Sequence, residues 1–252
     1  MVSSKTGKNL WLQDIRKSEY AFGIGKTVAV CILMSYVFYE SFALTPVFIP
    51  IWIFYMKDWV ADISKKKEQE FRLQFRDSIQ ALAAALKAGY SVENAIREAD
   101  RDIGSMYGEE TRIRKEYGRM AHQIEMNMPV SSVLEEFAYR TEQEDVENFV
   151  NVFTAAKKAG GDSISIIRNA VRIISDKIDT EKEIQTMLAS KKLEFDIMCG
   201  VPFAVILYMK LTFGEFLEIL YGNPAGTAIM SICLAVYIAA YRLGRKIISI
   251  EV

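Results

Sequence analysis

Four apolar stretches stand out along this chain: Phe22 to Tyr39, Phe42 to Met56, Ile197 to Phe213 and Ile219 to Tyr241. They form two close pairs on either side of a long region rich in charge. A membrane span needs roughly 20 mostly apolar residues, or about 17 at the short limit. The fourth stretch passes unaided, since no charge falls between Glu218 and Arg242. The other three rely on Lys26, Lys57 and Lys210, whose aliphatic stems can lie in hydrocarbon while the ammonium reaches the headgroups. The pattern predicts two transmembrane helical hairpins.

Between Lys67 and Lys192 the apolar period is helical throughout, with no alternating run of the kind a strand requires. About six helices are predicted. The first carries Phe71, Phe75, Ile79, Leu82 and Leu86 on one stripe and stops at Gly89, after which Ser91 caps a short helix from Val92 to about Arg101. A loop from Gly104 to Gly108 leads into a third with Ile113, Tyr117, Met120 and Ile124 inward. Pro129 opens a fourth, which buries Val130, Val133, Leu134 and Phe137. Thr141 and Glu144 read as a capping box for a fifth, with Val146, Phe149, Val150 and Phe153 buried and the pair Gly160 and Gly161 as its stop. Asp162 or Ser163 caps the sixth, whose seam is Ile164, Ile167, Val171, Ile174 and Ile178. No glycine or proline interrupts it before Gly200 and Pro202, so a rod of roughly 45 Å is expected to lead from the charged region into the third apolar stretch.

Basic residues set the orientation, because short loops rich in Lys and Arg stay on the cytoplasmic side. Lys5, Lys8, Arg16 and Lys17 precede the first stretch, Lys65 to Lys67 and Lys191 to Lys192 bound the central region, and Arg242, Arg245 and Lys246 close the last. The two inner turns carry only Glu40, Glu215 and Glu218. The expected protein is therefore all-α and polytopic, with both termini cytoplasmic. Residues 1–21 form a cytoplasmic segment, 22–60 the first hairpin, 61–194 a cytoplasmic helical domain, and 195–252 the second hairpin with a short tail. Ser41 and Ala43 imitate a signal cleavage site, but the polar lead-in is long for a signal peptide and cleavage would leave an odd number of spans.

Composition narrows the function. A net charge of −1, with no basic stripe interleaved with aromatics, gives nucleic acid no support as a partner. Cys31, Cys199 and Cys233 all fall in apolar stretches, as small packed hydrophobes rather than a disulfide or zinc set. The string Gly23 to Thr27 resembles the tail of a phosphate loop, yet Tyr20 stands where the pattern needs glycine and no strand precedes it. His122 is the single histidine and is expected on the surface. The acidic run Glu135, Glu136, Glu142, Glu144, Asp145 and Glu147 is expected to be a solvated face. No nucleophile turn, metal set or cofactor motif is recognisable, so no enzyme activity and no cofactor are expected. Ser231, Ala235 and Ala239 form a small-residue stripe suited to helix packing in lipid.

Two strings, Leu86-Lys87-Ala88-Gly89-Tyr90-Ser91-Val92-Glu93-Asn94-Ala95-Ile96 and Ala155-Ala156-Lys157-Lys158-Ala159-Gly160-Gly161-Asp162-Ser163-Ile164, carry a resemblance. In their order, spacing and membrane context they are similar to the F-domain family of type II secretion and type IV pilus platform proteins, closest to the single-domain tight-adherence branch. The matching structural turns are Gly89, Ser91, Pro129, Gly160 and Gly161. The family often has glycine where Asn127 or Met128 precedes Pro129, and leucine where Ser163 follows the glycine pair. The resemblance implies a non-enzymatic platform in the bacterial inner membrane. Its partners would be a secretion ATPase, pilin or pseudopilin subunits, and a paralogous platform protein or further copies of itself. The competing expectation, a small transporter or channel component, wants ionisable groups along a pathway, and Lys210 is the one charge well inside a span.

Overall fold

The computed structural model describes residues 11, 17–39, 49–159, 163–214 and 223–248. Among them every regular element is helical and no strand occurs. The helices are α1 (Lys17–Tyr39), α2 (Ile49–Lys87), α3 (Val92–Met106), α4 (Arg112–Glu125), α5 (Val130–Thr141), α6 (Glu144–Ala159), α7 (Ser163–Thr212) and α8 (Pro224–Ile248). The chain divides into two compact units, one of residues 1–15 and 61–180 and the other of 16–60 and 181–252. Two of the three passages between them, at 60/61 and 180/181, fall inside helices α2 and α7, and the third, at 15/16, lies outside the described residues. The predicted inner turns lie largely outside the described residues, as does the start of the second apolar stretch.

In the first unit the inward stripes predicted for α2 and for α4 to α6 are buried residue for residue. Phe75 is the hub, with its ring 6.1 Å from both Phe137 of α5 and Phe149 of α6. Phe137 also meets Tyr117 of α4 edge to face. The seam of α7 begins one turn later than expected: Ile167, Val171, Ile174 and Ile178 are buried, but Ile164 is 42% exposed. Consecutive helices from α3 to α6 pack on one another. Pairs such as Arg76 with Asp179 and Gln80 with Ser175 show that α7 runs antiparallel to α2.

Three local expectations are corrected. Thr141 does not open a helix. It ends α5, its buried hydroxyl donating to the Phe137 carbonyl at 2.9 Å, and Glu142 closes the helix in the left-handed region at φ 48. A buried hydroxyl one turn past a helix carbonyl finds its acceptor there, so it is not available to the next helix. Helix α3 runs on to Met106, five residues beyond its expected end, and Gly104 lies within it. A Cβ at Gly104 would fall 2.9 Å from the Arg114 guanidinium, which bonds the Asp100 carbonyl and carboxylate at 2.6 and 2.5 Å. Asp145 is buried, not part of a solvated acidic face.

The turns follow the expected chemistry. Gly89, at φ 91, terminates α2 with bonds from its own amide to Leu86 O and from Tyr90 N to Ala85 O, the paired pattern of a left-handed cap. Asn127 repeats that geometry at the end of α4, at φ 62 with bonds Asn127 N to Ile124 O and Met128 N to Gln123 O. Asparagine tolerates the left-handed region better than other residues with a Cβ, which is how it fills a place where glycine is common. The Ser91 hydroxyl accepts from Asn94 N at 3.4 Å, and Pro129 sits at the N-cap of α5 with Val130 first in the helix.

In the second unit α1 and the start of α2 are antiparallel: Tyr20 meets Trp59 edge to face and Thr27 faces Met56. The Gly23 to Thr27 string is helical, with the Thr27 hydroxyl donating to Gly23 O, and the Trp59 indole occupies the space a Cβ on Gly23 would need. No phosphate loop exists there. The later half of α7 lies antiparallel to α8 through Phe203 on Tyr237 and Phe195 on Tyr241, and the Tyr237 hydroxyl donates to Cys199 O at 2.8 Å. Two helices among the described residues, α7 and α8, are long and apolar enough to cross a membrane. Their apolar side chains point outward, as those of Ile197, Val201, Val205, Ile232 and Val236 do.

No periodicity pointed to Trp11. It is 2% exposed in the first unit, 5.2 Å from the Phe71 ring, with the Arg112 guanidinium 4.8 Å over its face. Truncating a buried aromatic of this size costs about 3–5 kcal/mol. Trp11→Ala is therefore expected to lower the unfolding midpoint of the purified chain in detergent and to remove one buried component from its tryptophan fluorescence. An unchanged denaturant midpoint would show that Trp11 is not part of this core.

Candidate functional site

The first unit is held together by charges where α2, α6 and α7 meet. Asp145, with its side chain 4% exposed, accepts from Arg72 Nε at 2.8 Å and from Lys177 Nζ at 2.8 Å. It stands in the first turn of α6, where the helix N-terminus also favours a carboxylate. Gln143 donates to Glu68 at 3.2 Å just before it. A second buried carboxylate, Glu116 of α4, accepts from Arg140 Nε of α5 at 2.9 Å and from Arg119 at 3.3 Å. Gln123 and Arg140 both bond Glu136.

Further along α2 a chain of polar contacts joins three helices. Arg76 binds its neighbour Asp77 at 2.7 Å and reaches Asp179 of α7, while the Tyr107 hydroxyl at the end of α3 donates to the other oxygen of Asp77. Burial alone would lower the Arg76 guanidinium, but hydrogen bonds and charge from Asp77 and then Asp179 outweigh it and hold it above its ordinary value. The Tyr107 phenol is pushed up to about 12, first by burial, then by its hydrogen bond to Asp77 and the charge there. Burial likewise pushes the enclosed Tyr117 phenol up. These groups are locked in one protonation state across the physiological range and serve as struts.

Beside this lattice, the facing surfaces of α2 and α7 leave a groove of about 330 Å³. Its apolar lining is Ala83, Ala84 and Val171, and the Gln80 amide bonds the Ser175 hydroxyl at 3.1 Å at one side. Lys87, Arg168 and Arg172 stand around one end, Asp176 and Asp179 at the other. The groove thus combines small apolar side chains with charges of both signs.

Of the residues singled out from sequence, Gly89, Ser91 and Pro129 occupy turns of the first unit, while Gly160 and Gly161 lie outside the described residues. Ser231 is half-buried and Ala235 and Ala239 are exposed within the single chain; the buried row of α8 is Gly226, Met230 and Leu234. His122 is exposed, near Glu125 at 3.8 Å. Among the described residues no group of three or more His, Cys, Asp or Glu is placed to hold a metal ion.

Residues 78–210, from the last quarter of α2 to near the end of α7, match the family described as Type II secretion system (T2SS), protein F. The match covers more than half of the chain. The chain belongs to the type II secretion system protein F family. No curated protein and no solved structure gives a match. The protein F family segment contains the whole groove and Asp145 with Lys177; Arg72, Arg76 and Asp77 lie just before it.

The buried and exposed pairs should separate sharply on mutation. Removing one partner from a buried ion pair costs about 3–5 kcal/mol, whereas an exposed pair contributes about 0–1 kcal/mol. Asp145→Ala should therefore lower the denaturant midpoint markedly, and Glu98→Ala, at the exposed pair with Arg101, should leave it in place. Equal effects would refute the ranking.

Tyr107 gives a test by titration. Its folded pKa is raised from 10.0, so the stabilising contribution is whole below about pH 10 and is lost as pH rises through about 12. Ring-carbon NMR of Tyr107, assigned with Tyr107→Phe, should give a midpoint near 12, moving back toward 10 in Asp77→Asn. A midpoint near 10 in the unaltered protein would rule out the bond to Asp77.

Proposed function

We propose that this chain is a non-enzymatic inner-membrane platform of a type II secretion or tight-adherence pilus machine. In this role the helical unit lies in the cytoplasm and meets a secretion ATPase. The four apolar stretches form two hairpins in the bilayer, with both termini cytoplasmic, and pilin or pseudopilin subunits are moved out of the membrane beside them. A paralogous platform protein or further copies of the chain complete the assembly.

The observation that carries the proposal is α7. It belongs to the protein F family segment, packs Ile167, Val171, Ile174 and Ile178 into the first unit, and continues without a break to Thr212 with outward-facing apolar side chains. Nothing interrupts it between Asp179 and Phe195, and Pro202 is accommodated inside it. A helix of this kind transmits displacement along its axis, whereas a flexible loop would absorb it. Coupling by such an element needs no catalytic group of its own.

Two measurements test this. In a variant without native cysteines, Tyr139→Cys is 83% exposed at the starting residue and should react with an impermeant maleimide only after the cytoplasmic side is opened. The purified chain alone should hydrolyse no nucleotide, and its addition in vesicles should raise the turnover of the separate secretion ATPase. Labelling from outside intact cells, or no effect on the ATPase, would overturn the proposal.

A further inference from the structure

The charges of the first unit are not used evenly. Arg72, Arg76, Arg114, Arg140 and Lys177 each hold a carboxylate of a neighbouring helix or turn. Around the groove the accounting differs. Among the described residues no carboxylate lies within 4.0 Å of Lys87, Arg168 or Arg172, and Arg172 donates instead to the Asn169 amide oxygen on its own helix. Asp179, at the opposite end, is already taken by Arg76. The groove therefore presents an uncompensated positive end next to an apolar lining.

Its shape is as specific as its charge. The lining residues of α2 fall at Gln80, Ala83, Ala84 and Lys87, and those of α7 at Arg168, Val171, Arg172 and Ser175, each set repeating at three and four residues. Two antiparallel helices thus offer one continuous trough, about 16 Å long over the span from 168 to 179. Alanine at 83 and 84, one half-buried and the other exposed, leaves little side-chain bulk on this face of α2 to keep a third helix at a distance. Ile164, one turn before Arg168 on the same row, adds an exposed apolar side chain at the positive end.

We propose that this groove is the docking site for an acidic amphipathic helix of a cytoplasmic partner protein. Small apolar side chains of the incoming helix rest on Ala83, Ala84 and Val171. Carboxylates three or four residues apart meet Lys87, Arg168 and Arg172, and a basic or amide group one turn away faces Asp176. That such a partner exists rests on the coupling role proposed above.

The test places a photo-crosslinking residue at Ala84 in the full chain, in membranes of cells that make it, with Tyr139 as a control position. Mass spectrometry of the adduct at position 84 should identify a peptide with carboxylates at three- or four-residue spacing on one side of an apolar stripe. Its yield should fall at least about tenfold in Arg168→Glu/Arg172→Glu and persist in Arg168→Lys/Arg172→Lys. Both arginines are exposed, so the charge-reversed chain should keep the wild-type thermal midpoint.

An adduct with lipid, with a second copy of this chain or with a neutral or basic peptide would overturn the proposal. So would no adduct at all, or a yield indifferent to charge reversal. Stimulation of the ATPase by the unaltered chain reads the coupling role independently. Stimulation with any of those adduct outcomes sinks the docking site and leaves the coupling role standing. No stimulation sinks the coupling role, whatever position 84 captures.

Discussion

A single buried carboxylate sets the register on which the first unit depends. Asp145 is removed from water against two cations, and these come from α2 and α7, the helices that continue into the second unit. An isolated carboxylate in that position would be too costly to keep ionised, so neither helix can slide along its axis by a turn without stranding the charge. Arg76 with Asp179 and Gln80 with Ser175 repeat the constraint one and two turns further along. Apolar burial drives these helices together but is tolerant of register. The ion pairs are not, and they fix which residues of α2 face which residues of α7.

Periodicity alone made much of this legible. Phe71, Phe75, Ile79 and the inward rows of α4 to α6 are read directly from spacing, because a buried helix face imposes steps of three and four on whatever residues fill it. Gly89 and Ser91 are legible for a different reason, since each has a backbone task that few residues perform. The errors fall where two physical readings of the same residue compete. Thr141 and Glu144 have the spacing of a capping box, yet a threonine hydroxyl serves the preceding helix equally well, and only burial decides. Gly104 looks like a loop residue until Arg114 is seen crossing it.

Long-range partners are invisible to spacing. Asp145 sits in a run of acidic residues that looks like solvated surface, and nothing local distinguishes it from Glu144 beside it; what sets it apart is Arg72, 73 residues earlier, and Lys177, 32 later. Trp11 is hidden for the same reason, being an isolated aromatic whose pocket of Phe71 and Arg112 comes from distant helices. The groove could not be foreseen either. Its residues look like the polar sides of two amphipathic helices, and become a site only once the register brings Lys87 to the same end as Arg168 and Arg172.

The distribution of charge pairing then carries a functional argument. In a domain whose only task was to stay folded, arginines of α7 beside Asp176 and Asp179 would be free to pair within the chain, as Arg76 and Lys177 do. Instead Asp179 is spent on α2, tightening the register, and Lys87, Arg168 and Arg172 stand around an alanine-lined trough with no carboxylate among the described residues in reach. Exposed cations are solvated at little cost, so stability does not require this arrangement and does not oppose it. The same register that closes Asp145 between two cations opens the trough beside it. A load applied there would act on α2 and α7 together, the two helices whose internal pairing resists sliding and through which the chain passes into its second unit.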